Sequence, residues 1–446
     1  MWRASTPSNR EMIMDILTAN DRVGQYPNSW YTATADAPGP YPEAKGDISC
    51  DVCIIGGGFT GLSAALHMAE KGFDVVLVEA HRVGFGASGR NGGQVGTGQR
   101  LEQDELEEMV GKTAARRLWD LSLESVQLVR DMVAEYAPEA GFTNGVLHAD
   151  HRARFVPDNH AYARKMNEEY GYDLIRPVDK DEMRHLCGSP VYHGGTLDMG
   201  GGHTHPLRLA FGMARAAVTK GVRIFETTRV SKVVEGDPAK VMTESSNISA
   251  RYVLWACNGY LGHAQKNVAA RVMPINNYIL ATEPLEEDFA KGLIREGHAV
   301  ADSKFVINYF RLSEDNRMLF GGAESYGYRF PKDIVKLVSK PMLEIYPQLK
   351  DTRIDYAWGG TLGITLNRMP HFARLNGNIL SASGYSGHGV AMATLGGKLA
   401  AEALAGQAER FDLMANIPTP RFPGGATLRW PLLVVAMLWF SLRDKL

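Results

Sequence analysis

The sequence predicts an α/β fold built around a parallel, Rossmann-like sheet, and two stretches of the chain predict it. Between residues 52 and 79 an apolar strand, a glycine-rich turn, a helix and a second apolar strand follow one another. That order and length are typical of a β-α-β unit with parallel strands. Between residues 378 and 404 the order of strand, glycine-rich turn and helix returns. Both stretches therefore favour one open parallel sheet.

The rest of the chain supplies the other elements. Residues 1–45 are rich in proline, glycine, asparagine and serine and lack periodicity, so we expect an irregular arm. A long amphipathic helix is predicted at 113–136, because its apolar residues fall on one side. Residues 145–149 predict a strand in a different layer. The remaining predicted elements are a helix at 206–220, strands at 222–226 and 252–256, and strand-like alternation at 305–320.

Length and composition exclude several classes of protein. The chain has 446 residues, of which 45% are hydrophobic and 22% charged, so it predicts a globular protein of roughly two or three domains. The formal net charge of −2 gives no general attraction to nucleic acid, and we expect no such partner. Four cysteines in a chain of this length do not make a disulfide framework, and residues 1–20 contain no secretory signal. We therefore expect a cytoplasmic protein.

One apolar segment, residues 431–442, invites a membrane interpretation. Its twelve residues are too few to span a bilayer, which takes roughly 20 residues in a helix. We expect no transmembrane segment and favour a helix packed on the protein body. An oligomer contact or a peripheral membrane anchor remains an alternative.

The first glycine-rich turn has the pattern GxGxxG in its full context of strand, turn and helix. Gly56 permits a tight turn, Gly58 lets a pyrophosphate approach the backbone, and Gly61 lets helix and strand pack closely. Glu79 ends the second strand, where an acid can accept hydrogen bonds from a ribose hydroxyl. A dinucleotide site is therefore predicted, with a ligand-free glycine turn as the alternative. Its candidate contacts are Gly56, Gly58, Phe59, Thr60, Gly61 and Glu79.

A second glycine-rich run, residues 84–93, follows directly. Such a run lets the backbone lie close against a long cofactor with its amides pointing inward, and a nicotinamide enzyme has no obvious use for it. The alternative is a plain surface loop. The candidate cofactor contacts in this run are Ala87, Ser88, Arg90, Asn91, Gly92 and Gly93.

The third glycine-rich stretch, residues 384–389, gives the sheet another helix N-terminus. In a flavoprotein, such a terminus can face the N1/C2=O edge of the ring, which becomes negative on reduction. His388 is a candidate catalytic residue at the flavin, or a structural histidine. The candidate cofactor contacts are Gly384, Tyr385, Gly387, His388 and Gly389, with Val230 and Gly259 from the middle of the chain.

Other site classes have little support in the sequence. His203 and His205 form an HxH pair, but no further ligand completes a metal site, and we predict none. Neither a GxSxG elbow nor a GxxxxGK[ST] loop occurs, so hydrolase and P-loop functions are not supported.

Residues 29–446 as a whole resemble the gamma-glutamylputrescine oxidoreductases of the D-amino-acid-oxidase and sarcosine-oxidase superfamily. The GxGxxG motif is generic to that superfamily, whereas the N-terminal and C-terminal segments are more specific. The matching segments are 29–31, 50–58, 84–94, 201–206, 384–390, 408–412, 422–425 and 441–445.

The resemblance implies two domains. A Rossmann-like FAD-binding domain would be assembled from separated segments, at 46–140, 203–262 and 372–446. A substrate domain with a mixed or antiparallel sheet would comprise 141–202 and 263–371. The implied reaction is hydride transfer from a small amine substrate to flavin N5, which gives an imine and then an aldehyde, as in putrescine catabolism. Electrons would pass to O2 or another acceptor.

Departures from the sarcosine-oxidase branch refine these expectations. Met392 occupies the position of a lysine that holds the substrate carboxylate there, which favours an amine over an α-amino acid. Trp358 falls near the position of the cysteine that tethers the flavin, so FAD is expected to be non-covalent. A lysine that assists oxygen falls near Leu319 or Phe320, which leaves another acceptor open. Tyr309 is the candidate catalytic residue on the substrate wall, with core packing as the alternative.

Two alternative functions stay open. An amino-acid or N-methyl-amino-acid dehydrogenase would need a cation in the pocket, and Arg311 is the candidate. The apolar segment 431–442 also permits a flavin-bearing subunit of a larger complex.

Overall fold

The structure is a computed structural model that describes residues 15–325 and 327–425. The strands are β1 (Gly46–Ile55), β2 (Val75–Val78), β3 (Gln94–Val95), β4 (Thr143–Ala149), β5 (Ile175–Val178), β6 (Gly195–His203), β7 (Arg223–Phe225), β8 (Lys232–Val234), β9 (Ala239–Met242), β10 (Ser246–Trp255), β11 (Met273–Thr282), β12 (Ala299–Asp302), β13 (Tyr309–Leu312), β14 (Met318–Ser325), β15 (Ile354–Ile364), β16 (His371–Asn376) and β17 (Ile379–Ser383). The helices are α1 (Trp30–Thr34), α2 (Phe59–Glu70), α3 (Gln103–Val110), α4 (Lys112–Tyr136), α5 (Val156–Glu168), α6 (Lys180–Cys187), α7 (Pro206–Thr219), α8 (Lys266–Ala269), α9 (Glu287–Leu293), α10 (Ile334–Ile345), α11 (Gly389–Leu404) and α12 (Glu409–Ala415).

The first sheet carries the parallel core of the protein. Its strands run in the order β16-β17-β10-β1-β2-β7, and the neighbours from β17 to β7 are parallel. The last four residues of β1 and all of β2 are buried apolar runs, as expected of a sheet that is covered on both faces. Because these strands come from three distant parts of the chain, the Rossmann-like domain is assembled from separated segments. The predicted fold is confirmed.

The register of this sheet explains why distant turns meet. Ile55, the last residue of β1, pairs with Val78 of β2 and with Trp255 of β10. Trp255 pairs in turn with Ser381 of β17. The carboxyl ends of these parallel strands therefore lie along one edge of the sheet, where ligands bind in open α/β folds. The glycine-rich turns that follow β1 and β17 start from that same edge.

The second sheet is mixed and largely antiparallel, with the order β15-β11-β14-β13-β12-β4-β6-β3. Its strand β12 is parallel to β4, and its other pairs are antiparallel. The predicted strand at 145–149 is β4, in a different layer as expected. The predicted alternation at 305–320 corresponds to β13 and the start of β14.

Two predictions about the chain ends differ in outcome. The arm at 1–45, where described, is irregular except for α1. That short helix forms because Ser29 Oγ accepts the amide of Thr32 at 3.1 Å, and because Trp30 and Tyr31 are buried. The apolar segment 431–442 lies outside the described residues. Within the described ranges, none of the helices is long and apolar enough to cross a membrane.

Candidate functional site

A cavity of about 1360 Å³ lies between the carboxyl edge of the first sheet and one face of the second. It exceeds the roughly 300–1,000 Å³ of an ordinary small-ligand pocket. The glycine-rich turns after β1 and after β17 both line it. They also touch each other, since the Thr60 and Tyr385 hydroxyls lie 2.7 Å apart. Turns about 330 residues apart in the sequence thus form one site.

The turn after β1 requires glycine at two of its positions, Gly56 and Gly61. Gly56 has a φ of +114°, and a Cβ there would lie 2.7 Å from the carbonyl oxygen of Ala256. A Cβ on Gly61 would lie 1.9 Å from the Gly56 carbonyl oxygen. The N-cap residue Gly58 brings no side chain to the N-terminus of α2. Ser88 Oγ accepts the Phe59 amide, and the other amides of the first turn are left as an anion site at the cavity.

Glu79 lies beside this turn with both carboxylate oxygens engaged. Oε2 accepts the amide of Gly57 at 2.7 Å, and Oε1 accepts the amide of His81 at 2.8 Å. Burial raises the pKa of Glu79, and these backbone hydrogen bonds act against that rise. Each oxygen keeps a second lone pair, so the fixed carboxylate can still accept hydrogen bonds from ribose hydroxyls.

The glycine-rich run 84–93 holds itself in place through its polar side chains. Ser88 Oγ accepts the Phe59 amide at 2.9 Å, at the start of α2. Asn91 Nδ2 donates to the carbonyls of Ala87 and Ser88, and its Oδ1 accepts from Gly93. These side chains shape the loop, and the loop presents backbone to the cavity.

Arg90 in the same run is buried, and all three nitrogen atoms of its guanidinium have hydrogen-bond partners. Its guanidinium donates to the carbonyls of Phe85 and Gly359 and pairs with Asp21 at 3.1 Å. It also stacks over the Phe85 ring. Arg90 lines the cavity, but in this structure its charge is committed to the protein.

His388 is the N-cap residue of α11 and lines the cavity. It makes no side-chain cap, so this helix N-terminus is also open. Its Nε2 is buried without a hydrogen-bond partner among the described residues. Burial, with the nearby charge of Arg100, lowers its pKa to about 4. The imidazole is therefore neutral near pH 7.

Tyr309 stands on β13 with its ring held between two glycines. A Cβ on Gly92 would lie 2.6 Å from this ring, and one on Gly321 would lie 2.1 Å from it. Its hydroxyl donates to Asn277 Oδ1, and burial raises its pKa. The structure therefore places Tyr309 in the cavity wall as a fixed, protonated phenol.

The predicted residues fall into two groups. Most line the cavity: Gly56, Gly58, Phe59, Thr60, Glu79, Ala87, Ser88, Arg90, Asn91, Gly92, Val230, Tyr309, Tyr385, Gly387, His388 and Gly389. Gly61, Gly93, Gly259 and Gly384 do not line it. Gly259 instead lies against the backbone of Leu362, where a Cβ would approach within 2.7 Å.

Arg311, the proposed cation for an amino-acid substrate, does not line the cavity. Its Nε donates to the Gly92 carbonyl at 2.8 Å, and Nη2 donates to Tyr31 and Thr204. Arg311, buried on β13, therefore supports the glycine-rich run through a hydrogen bond and does not contact the cavity. The sequence offered no signal for that role.

Sequence reasoning missed a set of polar residues on the second sheet. Alternation along β4 and the residue after it puts Val146, His148 and Asp150 on the cavity face. Leu147, between them, belongs to the core on the opposite face, and Ala149 contributes both to that core and to the cavity wall. The pattern was visible in the sequence, but which face the cavity would occupy was not.

The residues present fit a dinucleotide with a flavin ring. Two helix N-termini face the cavity, neither capped by its own N-cap side chain, Gly56 and Gly61 have no room for a Cβ, and Glu79 is fixed just after β2. Within the described ranges, no group of three or more histidine, cysteine or acidic side chains could hold a metal ion.

Comparison with known proteins agrees with this geometry. The family described as FAD dependent oxidoreductase (DAO) matches residues 51–403. The chain is 41% identical over 429 residues to the gamma-glutamylputrescine oxidoreductase of Escherichia coli (strain K12), covering 95% of this chain and 99% of that protein. It is 41% identical over 418 residues to the probable oxidoreductase OrdL of Rhizobium meliloti (strain 1021), covering 94% and 97%.

A solved structure agrees in fold. The crystal structure of glycine oxidase from Geobacillus kaustophilus matches with a TM-score of 0.70 at 18% identity, covering 80% of this chain and 95% of that one. With a matching family over most of the chain and two full-length relatives, this protein belongs to the DAO family of FAD-dependent oxidoreductases.

Proposed function

We propose that the protein oxidises the C–N bond of a small amine, either gamma-glutamylputrescine or a close N-acyl diamine. The observation that carries this proposal is one continuous cavity that extends from the two glycine-rich turns onto the face of the second sheet. That extension gives a substrate room beside the cofactor. The name of the Escherichia coli relative supplies the substrate.

The chemistry divides between cofactor and protein. FAD, when bound, would supply the redox chemistry by taking two electrons and a proton, as a hydride, from the carbon next to the amine nitrogen; water would then hydrolyse the released imine to an aldehyde and ammonia. The substrate amine must be neutral to react. Burial in a cavity disfavours the ammonium form and so lowers the amine pKa. The protein's part is to bind, orient and dehydrate the amine.

His388 and Tyr309 have different roles in this proposal. His388, whose pKa is about 4, is too weak a base to take a proton from an ammonium near pH 7. It serves as a neutral hydrogen-bonding group at the N-terminus of α11. Tyr309, held between Gly92 and Gly321, forms a rigid wall that fixes the position of the amine.

We propose that FAD is bound non-covalently. Of the four cysteines, Cys257 lines the cavity, and it lies at the nucleotide end, where its Sγ contacts the Ile55 carbonyl at 3.3 Å. Burial raises the pKa of this thiol, which keeps it unreactive. Acid precipitation of the protein should release all of the flavin into the supernatant. Free cysteines also fit the reducing cytoplasm, which is the location we propose.

The direct test is anaerobic flavin bleaching. Purified protein is mixed with gamma-glutamylputrescine, putrescine, N-acetylputrescine, glycine or sarcosine under argon, and the flavin absorbance is followed. We expect fast bleaching with gamma-glutamylputrescine, and admission of air then measures whether O2 or another acceptor takes the electrons. If none of the amines bleaches the flavin, the proposal is wrong.

The amino-acid dehydrogenase alternative loses its candidate residue but not the cation that it requires. It needs an arginine or lysine in the pocket, and Arg311, the candidate, faces the glycine-rich run instead. Arg100 and Arg368 do line the cavity, so the substrate panel decides between the two functions. Bleaching by glycine or sarcosine at rates equal to the diamine would restore that alternative.

A further inference from the structure

The cavity face on the second sheet has a charge pattern that the redox chemistry does not explain. Three polar residues, His148, Asp150 and Asp198, share this face because their strands are paired in register. Arg100, in the segment between β3 and α3, lines the same part of the cavity. We call these four residues the head subsite, because they would contact the end of a substrate that is remote from the reacting amine. None of them lies within a glycine-rich turn, although Arg100 donates a hydrogen bond to the Ser386 carbonyl of the turn at 384–389.

His148 is the accessible member of the subsite. Its side chain is exposed, and the surface to which it is exposed is the cavity. Its ring has no hydrogen-bond partner in the part of the chain that the structure describes. The imidazole is therefore free to bond a ligand.

Two carboxylates lie beside this imidazole. Asp198 is buried and accepts from Thr97 Oγ1, from the Tyr172 hydroxyl and from the Gly200 amide. All three donors are neutral, so the charge of Asp198 is solvated but not cancelled. Asp150, two residues after His148, accepts a hydrogen bond from Asn159, and its Oδ2 has no partner among the described residues. The two carboxylates make this end of the cavity negative.

Arg100 provides a positive group near the negative one. Its Nε donates to the Ser386 carbonyl at 3.1 Å, and within the described ranges its two Nη atoms have no hydrogen-bond or ion-pair partner. Desolvation and the charge of Arg368, which also lines the cavity, act together on this guanidinium and lower its pKa. A guanidinium with free Nη atoms is suited to a carboxylate.

The negative end is unsuitable for the reacting amine. Neighbouring carboxylates stabilise an ammonium and raise its pKa, whereas the oxidised amine must be neutral. A group that stays charged throughout the reaction is the better occupant. An α-ammonium beside an α-carboxylate matches a negative subsite with an adjacent arginine.

The sheet also sets a distance. His148 pairs with Ala301 of β12, and Ala301 pairs with Tyr309 of β13, so the three lie in one row. Two strand spacings of about 4.8 Å separate His148 from Tyr309 by about 10 Å. The eight bonds between the α-carbon and the reacting carbon of gamma-glutamylputrescine span about 10 Å when extended. The small side chain of Ala301 leaves the space between them open.

We propose that the head subsite binds the amino-acid end of an N-γ-glutamyl diamine, with its ammonium at His148, Asp150 and Asp198 and its carboxylate at Arg100. The reacting amine then lies near Tyr309. This inference rests on the proposed function and names the residues that select its substrate.

The test compares paired substrates on paired variants. Wild type, Arg100→Gln, His148→Asn and the control Arg117→Gln, an exposed arginine paired with Glu409, are each prepared with FAD. Anaerobic flavin reduction is measured with gamma-glutamylputrescine, with N-glutarylputrescine, which keeps only the carboxylate, and with N-acetylputrescine, which has neither charge. Flavin absorbance per chain reports whether each variant is folded and loaded.

We expect Arg100→Gln to lower the reduction efficiency about 10- to 100-fold with the two substrates that carry a carboxylate, mainly through weaker binding. N-acetylputrescine should change less than about threefold. His148→Asn should weaken gamma-glutamylputrescine and leave N-glutarylputrescine nearly unchanged. Equal losses on all three substrates, or no loss on any, would overturn the inference. If wild-type flavin is not bleached by any of the three amines, the proposed function itself fails, which is a distinct result.

Discussion

The two halves of the cavity differ in the atoms that they present: one presents mainly backbone, the other side chains. One half, made by the turn at 56–61, Glu79 and the run 84–93, presents backbone, and its neighbouring side chains already accept hydrogen bonds from backbone amides. The substrate half, made by the face of β4, β6, β12 and β13, presents side chains such as His148, which has no partner among the residues described. A turn that accepts a dinucleotide can be fixed in backbone, whereas the choice of amine must lie in side chains. The following predictions, from the largest effect to the smallest, test that division.

Gly61→Ala should have the largest effect. The new Cβ would lie 1.9 Å from the Gly56 carbonyl oxygen, which is backbone and cannot move without opening the turn. We expect the purified variant to lack bound FAD and to be destabilised by about 1–3 kcal/mol or more. Flavin absorbance and thermal unfolding measure this. Gly39→Ala, where a Cβ meets no atom within 4 Å, is the matched control. A yellow, stable Gly61→Ala protein would contradict the packing argument.

Glu79→Ala should weaken FAD binding without unfolding the protein. The amides of Gly57 and His81 lose their acceptors, and leaving such donors unpaired costs about 1–3 kcal/mol. FAD should therefore bind about 10- to 100-fold more weakly, as measured by titration of the apoprotein. Glu70→Ala, at the far end of α2, is the control and should bind normally. Normal binding by Glu79→Ala would mean that the carboxylate does not shape the turn.

Acid should destabilise the protein through its buried histidines. Burial lowers the pKa of His203 to about 3 and the pKa of His371 and His388 to about 4, below the value of about 6.5 in an unfolded chain. The unfolded state therefore binds more protons between pH 6.5 and 4, so stability is full above about pH 7 and falls as pH decreases through that window. At pH 5 each such histidine contributes a loss of about 2 kcal/mol.

Thermal unfolding of the loaded protein from pH 8 to pH 5 checks this trend. His388→Asn should flatten the curve, whereas replacement of the exposed His185 by asparagine should not. A melting temperature that rises on acidification would show that these imidazoles are not held neutral.

Tyr309→Phe should have the smallest effect. It removes the hydroxyl that donates to Asn277 but keeps the ring between Gly92 and Gly321. We expect the efficiency of flavin reduction by gamma-glutamylputrescine to fall less than about tenfold, since one hydrogen bond is worth about 1 kcal/mol. Tyr309→Ala, which removes the wall itself, should lose more. Complete loss of reduction in Tyr309→Phe would show that the hydroxyl takes part in the chemistry.

The sequence identified the glycine-rich turn that lines one half of the cavity because the requirements of such a turn are local. Glycine spacing at 56–61 and an acid at the end of the next strand are set by neighbours in the chain. Arg90 shows the limit of that reasoning, because its pairing with Asp21 and its contact with Gly359 depend on distant segments. Its position in the run was clear from the sequence, but its partners were not.

The substrate half was harder to predict because it depends on strand pairing. Alternation in β4 puts His148 and Asp150 on one face, but pairing with β6 and β12 decides that this face lines the cavity. Strand pairing also explains why Arg311 is not the pocket cation that the sequence suggested. Its strand β13 directs the side chain toward the Gly92 carbonyl. The domain boundaries remain predictions. They are 46–140, 203–262 and 372–446 for the FAD-binding domain, and 141–202 and 263–371 for the substrate domain.

A crystal structure of the protein with bound FAD would show whether both helix ends hold the cofactor. We expect one FAD per chain, with its pyrophosphate at the N-terminus of α2 beside Gly58 and its ring edge at the N-terminus of α11 beside His388. An FAD that lies elsewhere, or that touches just one of these two helix ends, would contradict this expectation.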